Sequence, residues 1–302
     1  VFPVFLLSQL VSSFLRNGNR PGFATAAVLT GGIFNVFGDW FCVFALDLGV
    51  FGAGLATAIG AVVSMLVMCS PFLSKKCTLR LVTVQNLFKK LGEIAVTGFS
   101  SFFVDVAMGI LTVLFNRQIM KYLGSDALAV YATVINISTF VQCCAYSVGQ
   151  AAQPILSTNY GAGNAARIRK TLFLALDTSM AFAAFWTGLS ELAPGLYIRI
   201  FMRPTDAILA IAPSIIRRYS VSFILLPVNI FSTYYFQSIL RPKDSFIVSI
   251  ARGLVVSGLL IFALPAVFVP ESIWWAMPLT ELVTFVYAGL AMRRDTRALP
   301  QN

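Results

Sequence analysis

Eight runs in this chain are apolar for long enough to cross the roughly 30 Å of hydrocarbon in a bilayer. They lie at about 24–45, 49–72, 94–118, 127–150, 171–194, 213–239, 246–268 and 272–292. Residues 1–15 read as the tail of a further span, since Val1 opens inside an apolar stretch with no basic segment or cleavage site before it. The expectation is an all-α polytopic membrane protein with eight complete spans and one partial span. Composition agrees: 11% of residues are charged, against about 25% in a soluble domain, and mean hydropathy is +0.83.

The net charge of +10 does not point to nucleic acid, because the basic residues sit in short loops between apolar runs. Basic and non-basic loops alternate. Segments 16–22, 73–92, 159–170, 240–245 and the tail are basic; 45–50 and 269–271 carry only Asp47 and Glu271. Basic loops face the cytoplasm, which predicts a cytoplasmic carboxyl end. Segment 119–126 sets Lys121 against Asp126; the weakest member of the alternation is 195–206, with Arg199 and Arg203 against Asp206, where the rule alone does not decide. Segment 73–92, with Lys75, Lys76, Arg80, Lys89 and Lys90, is the longest and most basic loop. It predicts a linker between residues 1–80, the end of an amino-terminal lobe, and residues 81–302, a carboxyl-terminal lobe. A faint repeat fits two lobes: Phe14-Leu15-Arg16 precedes one hairpin much as Ile239-Leu240-Arg241 precedes the last.

The chain has no histidine, and its five cysteines lack metal-ligand spacing. No serine or cysteine stands beside a base. The expectation is therefore no catalytic residues, no cofactor and no metal beyond a coupling ion.

The hairpin at 31–58 holds the clearest polar constellation. Asn35 and Asp39 are four apart and share a helix face. The turn falls near Asp47-Leu48-Gly49, so Asp39 and Thr57 lie about equally far from it, roughly 13 Å deep at 1.5 Å per residue. A carboxylate, an amide oxygen and a hydroxyl at one depth suit a small hard cation or a proton, and an ionisable group there costs at least about 2.5 kcal/mol. Asp105 lies in the apolar run 102–115, a second candidate proton carrier, or else an interhelical bond. Glu281 reads as structural pairing with a neighbouring helix. Asp177 and Glu191 read as reaching the headgroups, and Arg252 as snorkelling to the inner interface. Pro227 and Asn229 interrupt the run 213–239, as a hinge, a cavity lining or a tolerated kink. Gln142, Gln153, Asn229 and Tyr234 are weak candidates for a substrate cavity, with helix packing the alternative for the glutamines. Tyr234 and Tyr235 otherwise belong to an interfacial aromatic belt. Gly49, Gly52, Ala53, Gly54, Ala56 and Ala58 predict a close helix approach.

The stretches FLRNGNRP at 14–21, FNVFGDWF at 34–41 and GVFGAGLAT at 49–57 together resemble the multidrug and toxic-compound extrusion (MATE) family. So do GFSSFFVDVAMGILTVLFN at 98–116 and SVGQAAQPILSTNYGAGN at 147–164. The resemblance implies a bundle of two pseudo-symmetric lobes and twelve spans, of which this chain looks like the fourth to twelfth, an amino-terminally truncated member. It implies exchange of Na⁺ or H⁺ for organic cations across a bacterial inner membrane by a multi-pass monomer. It also implies that Asn35, Asp39 and Thr57 belong to a cation site completed by a first-span aspartate, and that Asp105 matches a seventh-span acid. Two other functions stand beside this one. A lipid-linked oligosaccharide flippase of the same superfamily would want basic groups inside the bundle, where the mid-span groups Asp39, Asp105 and Glu281 are acidic. A non-transporting remnant would lack the missing spans.

Overall fold

The computed structural model describes residues 2–18, 21–73 and 86–298, without the side chains at positions 73, 97, 100, 101, 104 and 105. Most of the expected basic linker therefore lies outside the described residues. The chain forms two compact units, Val1–Gln85 and Asn86–Asn302.

All regular structure among the described residues is helical, because hydrocarbon offers a backbone no hydrogen bonds and a helix supplies its own. In the first unit α1 is Phe2–Asn17, α2 is Pro21–Trp40 and α3 is Gly49–Cys69. A π-turn, Phe41–Ala45, extends α2, and a 3-10 turn, Ser70–Leu73, extends α3. The α2–α3 reversal falls where expected: Asp47 and Gly49 both take positive φ, 49° and 52°. Glycine accepts that conformation without strain, and aspartate tolerates it better than most residues.

α2 and α3 meet along a seam of small residues. A Cβ built on Gly31 would lie 2.8 Å from the Gly60 carbonyl oxygen; one on Gly60 would lie 2.8 Å from that of Gly31 and 3.2 Å from Asn35 Cβ. One on Gly38 would lie 2.9 Å from Ala56 Cβ. Lipid tails are as apolar as leucine, so close van der Waals packing of this kind holds helices together where water exclusion does not. The seam differs from the expected small-residue cluster. Gly52 and Ala56 are buried, but Gly49 and Gly54 have open space beside them. The partners from α2 and Gly60 come from outside the cluster.

In the second unit α4 is Leu87–Tyr122, α5 is Gly124–Gly161, α6 is Ala165–Leu192, α7 is Pro194–Phe201, α8 is Asp206–Ser220 and α9 is Leu226–Ser238. α10 is Pro242–Ile250, α11 is Val256–Val267 and α12 is Ala276–Arg297. Seven segments among the described residues are long and apolar enough to span a membrane: 21–45, 49–72, 124–161, 165–192, 206–238, 242–267 and 270–297. The remaining expected span, 94–118, lies within α4. The expected loop at 159–170 shrinks to a tight turn. There Gly163 takes φ 70°, and the Asn164 side chain caps α6 by accepting from Arg167 N at 3.1 Å. Segment 195–206 is not an open loop either; Pro194 starts the short α7, which buries Tyr197 and Ile198.

Three spans of the second unit are irregular. A 3-10 turn, Val221–Ile224, separates α8 from α9, with Pro227 in the first turn of α9. A π-turn, Ala251–Val255, joins α10 to α11. A 3-10 segment, Pro270–Trp275, leads into α12. The core around them is aromatic: Phe115 stacks on Tyr131 at 5.0 Å between ring centroids, and Tyr219 meets both edge-on.

Candidate functional site

In the first unit α2 presents Asn35 and Asp39 one turn apart, and α3 presents Thr57. Asn35 Nδ2 donates to Thr57 Oγ1 at 3.1 Å, and the hydroxyl donates to the Ala53 carbonyl at 3.0 Å. With its nitrogen committed, the amide leaves Oδ1 as its free acceptor. The glycine seam sets this alignment, since Gly38 beside Asp39 packs on Ala56 beside Thr57, and Gly60 packs on Asn35 itself. Asp39 is half-buried, and its Oδ1 is buried without a hydrogen-bond partner among the described residues. Asp39 and Asn35, one turn apart, do not bond to each other; the Asn35 amide turns to Thr57 instead. A buried carboxylate oxygen without a donor is costly, and a proton or a small cation relieves that cost. Asp105 lies on α4, but its side chain is outside the described residues.

The second unit holds a polar cluster of different character. Glu281 on α12 is fully buried, with Arg252 at 6% and Asn229 at 0% exposure. Arg252 Nε donates to Glu281 Oε1 at 2.6 Å, and Asn229 Nδ2 donates to Glu281 Oε2 at 2.6 Å. The same amide nitrogen reaches the Glu281 backbone carbonyl at 2.8 Å. Glu281 therefore pairs structurally, as expected, but Arg252 does not snorkel to the interface. It turns inward because a carboxylate and an amide wait there, and an ion pair in the interior replaces the headgroups as its partner. Asn229 is packed into this cluster.

Counting residues hides the pair. At about 1.5 Å per residue, Arg252 lies ~22 Å back along the helix from Val267 while Glu281 lies only ~16 Å beyond Pro270. The 3-10 segment rises about 2.0 Å per residue, which lengthens the second arm to ~20 Å, and the π-turn inserts an extra residue in the first. Two opposite charges inside adjacent apolar runs were the available signal.

The other candidates disperse. Gln142 and Gln153 are half-buried on α5, and the Gln153 carbonyl accepts a long bond from Ser238 at 3.5 Å. The Tyr234 ring lies flat against Gly149, where a Cβ would collide with it. Tyr235 is not in an interfacial belt: it is fully buried, with its hydroxyl 2.8 Å from Thr296 Oγ1. Both rings are drawn into seams between helices, Tyr234 by a glycine that leaves room for it. Glu191 likewise turns inward, its carboxylate accepting from Ser220 Oγ at 3.0 Å and its carbonyl from Arg217 Nε at 3.0 Å. Asp177 is exposed on α6.

The family model MatE matches residues 101–262. The chain is 24% identical over 290 residues to the multidrug export protein MepA of Staphylococcus saprophyticus, covering 95% of this chain and 63% of the relative. It is 24% identical over 283 residues to MepA of Staphylococcus haemolyticus, covering 93% and 62%. The chain thus spans less than two thirds of the length of these relatives. Among solved structures, an outward-facing multidrug resistance MATE family transporter of the MOP superfamily superposes with a TM-score of 0.90 at 20% identity, over 98% of this chain and 67% of that one. A MOP superfamily transporter from Pyrococcus furiosus, described as having a binding pocket of reverse polarity, gives 0.87 at 19% identity, over 99% and 69%. With the helical bundle, the membrane-length helices and a family model covering more than half of its length, this chain belongs to the MatE family of multi-pass membrane transporters.

Proposed function

We propose that this chain is the larger part of a cation-coupled antiporter that exports organic cations, with Na⁺ or H⁺ as the coupling ion. One observation carries the reading: Asp39 Oδ1 is buried and unpartnered beside the bonded pair Asn35–Thr57. Three oxygen-bearing side chains on two tightly packed helices suit a small cation. Loading or protonating Asp39 removes the cost of its orphaned charge and so favours whichever packing of the lobe surrounds it best. A carboxylate that binds either the ion or a cationic cargo couples the two by exclusion. The MepA relatives are named multidrug export proteins, which supports drug export as the activity here. The protein then works as a monomer in the bacterial plasma membrane, with its carboxyl end cytoplasmic by the loop-charge pattern, and needs no cofactor. The flippase reading gains nothing from the buried guanidinium of Arg252, because Glu281 neutralises it.

The test is efflux of a fluorescent organic cation from proteoliposomes under imposed Na⁺ or proton gradients, using the full-length protein. Asp39→Asn should lower gradient-driven efflux about tenfold or more, within the usual range of coupling factors. Unchanged efflux with unchanged ion dependence would end the proposal.

A further inference from the structure

Each oxygen of the Glu281 carboxylate accepts from a donor of its own: Arg252 Nε sits on Oε1 and Asn229 Nδ2 on Oε2, each at 2.6 Å. Two polar atoms in the same cluster are buried and unpartnered, Asn229 Oδ1 and Arg252 Nη2. Without the guanidinium, Glu281 Oε1 and Asn229 Oδ1 would be two hard oxygens, one charged, in a fully buried place. That is the ligand chemistry a small alkali cation takes. The backbone is built to deliver the guanidinium. Arg252 stands in the π-turn 251–255, a local insertion that re-aims side chains and is frequent at functional sites. Gly253 next to it packs so closely on α4 that a Cβ would lie 2.9 Å from Ala107 Cβ. Asn229 follows the 3-10 break and Pro227, and Glu281 follows the 3-10 segment 270–275. Irregular backbone at membrane depth is tolerated where protein buries it or a cavity needs it, and here three irregular segments serve one ion pair.

We propose that Arg252 is a tethered counter-cation occupying, in the second unit, the place a free Na⁺ would take at Glu281 and Asn229. Arg252 thereby decides that this carboxylate carries no exchangeable cation. Its consequence for coupling, that ion exchange rests on Asp39, depends on the antiporter function proposed above. The Na⁺ binding measurement does not depend on that function.

The experiment is Na⁺ titration by calorimetry of the purified protein in detergent micelles, in an Asp39→Asn background that silences the first unit. Arg252→Ala should bind one more Na⁺ per chain than the background, and Arg252→Ala with Glu281→Gln should lose it again. Because the orphaned carboxylate destabilises Arg252→Ala, its thermal midpoint should also rise with Na⁺ and not with N-methylglucamine. A folded Arg252→Ala chain that gains no Na⁺ overturns the proposal. If that variant does not fold at any Na⁺ concentration, the neutral pair Arg252→Met with Glu281→Met decides, read with Asp39 intact. The same Na⁺ stoichiometry as the unaltered protein supports the proposal. A stoichiometry lower by one means that Glu281 already held an ion, and overturns it.

Discussion

Two acidic side chains in this chain sit at membrane depth in opposite circumstances. Asp39 Oδ1 has no partner, whereas both oxygens of Glu281 accept charge-assisted or amide bonds. The difference predicts opposite mutational behaviour. Glu281→Gln leaves Arg252 buried without a counter-charge and should destabilise the protein by about 3–5 kcal/mol, whereas Arg252→Met with Glu281→Met should recover most of that loss. Thermal unfolding in micelles checks both. Asp39→Asn removes an unpaired charge and should leave the midpoint unchanged or raised. At the α2–α3 seam, Gly60→Val has no room against the Gly31 carbonyl; overpacking of this kind costs about 1–3 kcal/mol, read as a lower midpoint. It should also loosen the Asn35–Thr57 bond and weaken ion binding. Asn35, Asp39 and Thr57 were legible in the sequence because a polar group inside an apolar run has few innocent explanations. Arg252 misled because a long side chain near a span end ordinarily reaches for the headgroups.

At the level of elements, the informative features are the breaks within spans. Deleting Leu254 should convert the π-turn 251–255 to regular helix, rotate Arg252 away from Glu281 and cost as much as breaking the pair, about 3–5 kcal/mol, by the same unfolding measurement. A second tie joins the start of α10 to α12. Asp244 accepts from Tyr287 at 2.8 Å and from Arg294 at 3.0 Å, and Arg294 also donates to Asp295 at 2.9 Å. Tyr287→Phe should lower stability by about 1 kcal/mol, the worth of a partly buried hydrogen bond. Arg294→Gln should change little, because its side chain is 61% exposed and solvent screens the charge. Pro227 announced one break in advance. Pro270 marks only where the segment before α12 begins, not that it winds as 3-10, and Gly253 alone does not distinguish a π-turn from the helix around it.

For the molecule as a whole, the alternation of loop charge predicts which end faces which side. In a cysteine-free background, Asp47→Cys should react with an impermeant maleimide from outside intact cells, and Ala298→Cys only after permeabilisation. Labelling of both from one side would overturn the orientation. The amino-acid order was sufficient for the helical class and the approximate spans, because bilayer thickness and the need to satisfy the backbone leave a long apolar run one solution. It was also sufficient to bring Asn35 and Thr57 to the same level across the hairpin, where they bond, because a fixed turn equalises depth on both arms. It was not sufficient to pair Arg252 with Glu281 and Asn229. Those residues lie on three helices separated by 3-10 and π segments, and each irregular turn shifts depth and direction by more than a hydrogen bond tolerates. Which acid keeps an open oxygen and which is closed by a guanidinium is therefore a property of packing, settled only when the helices are in contact.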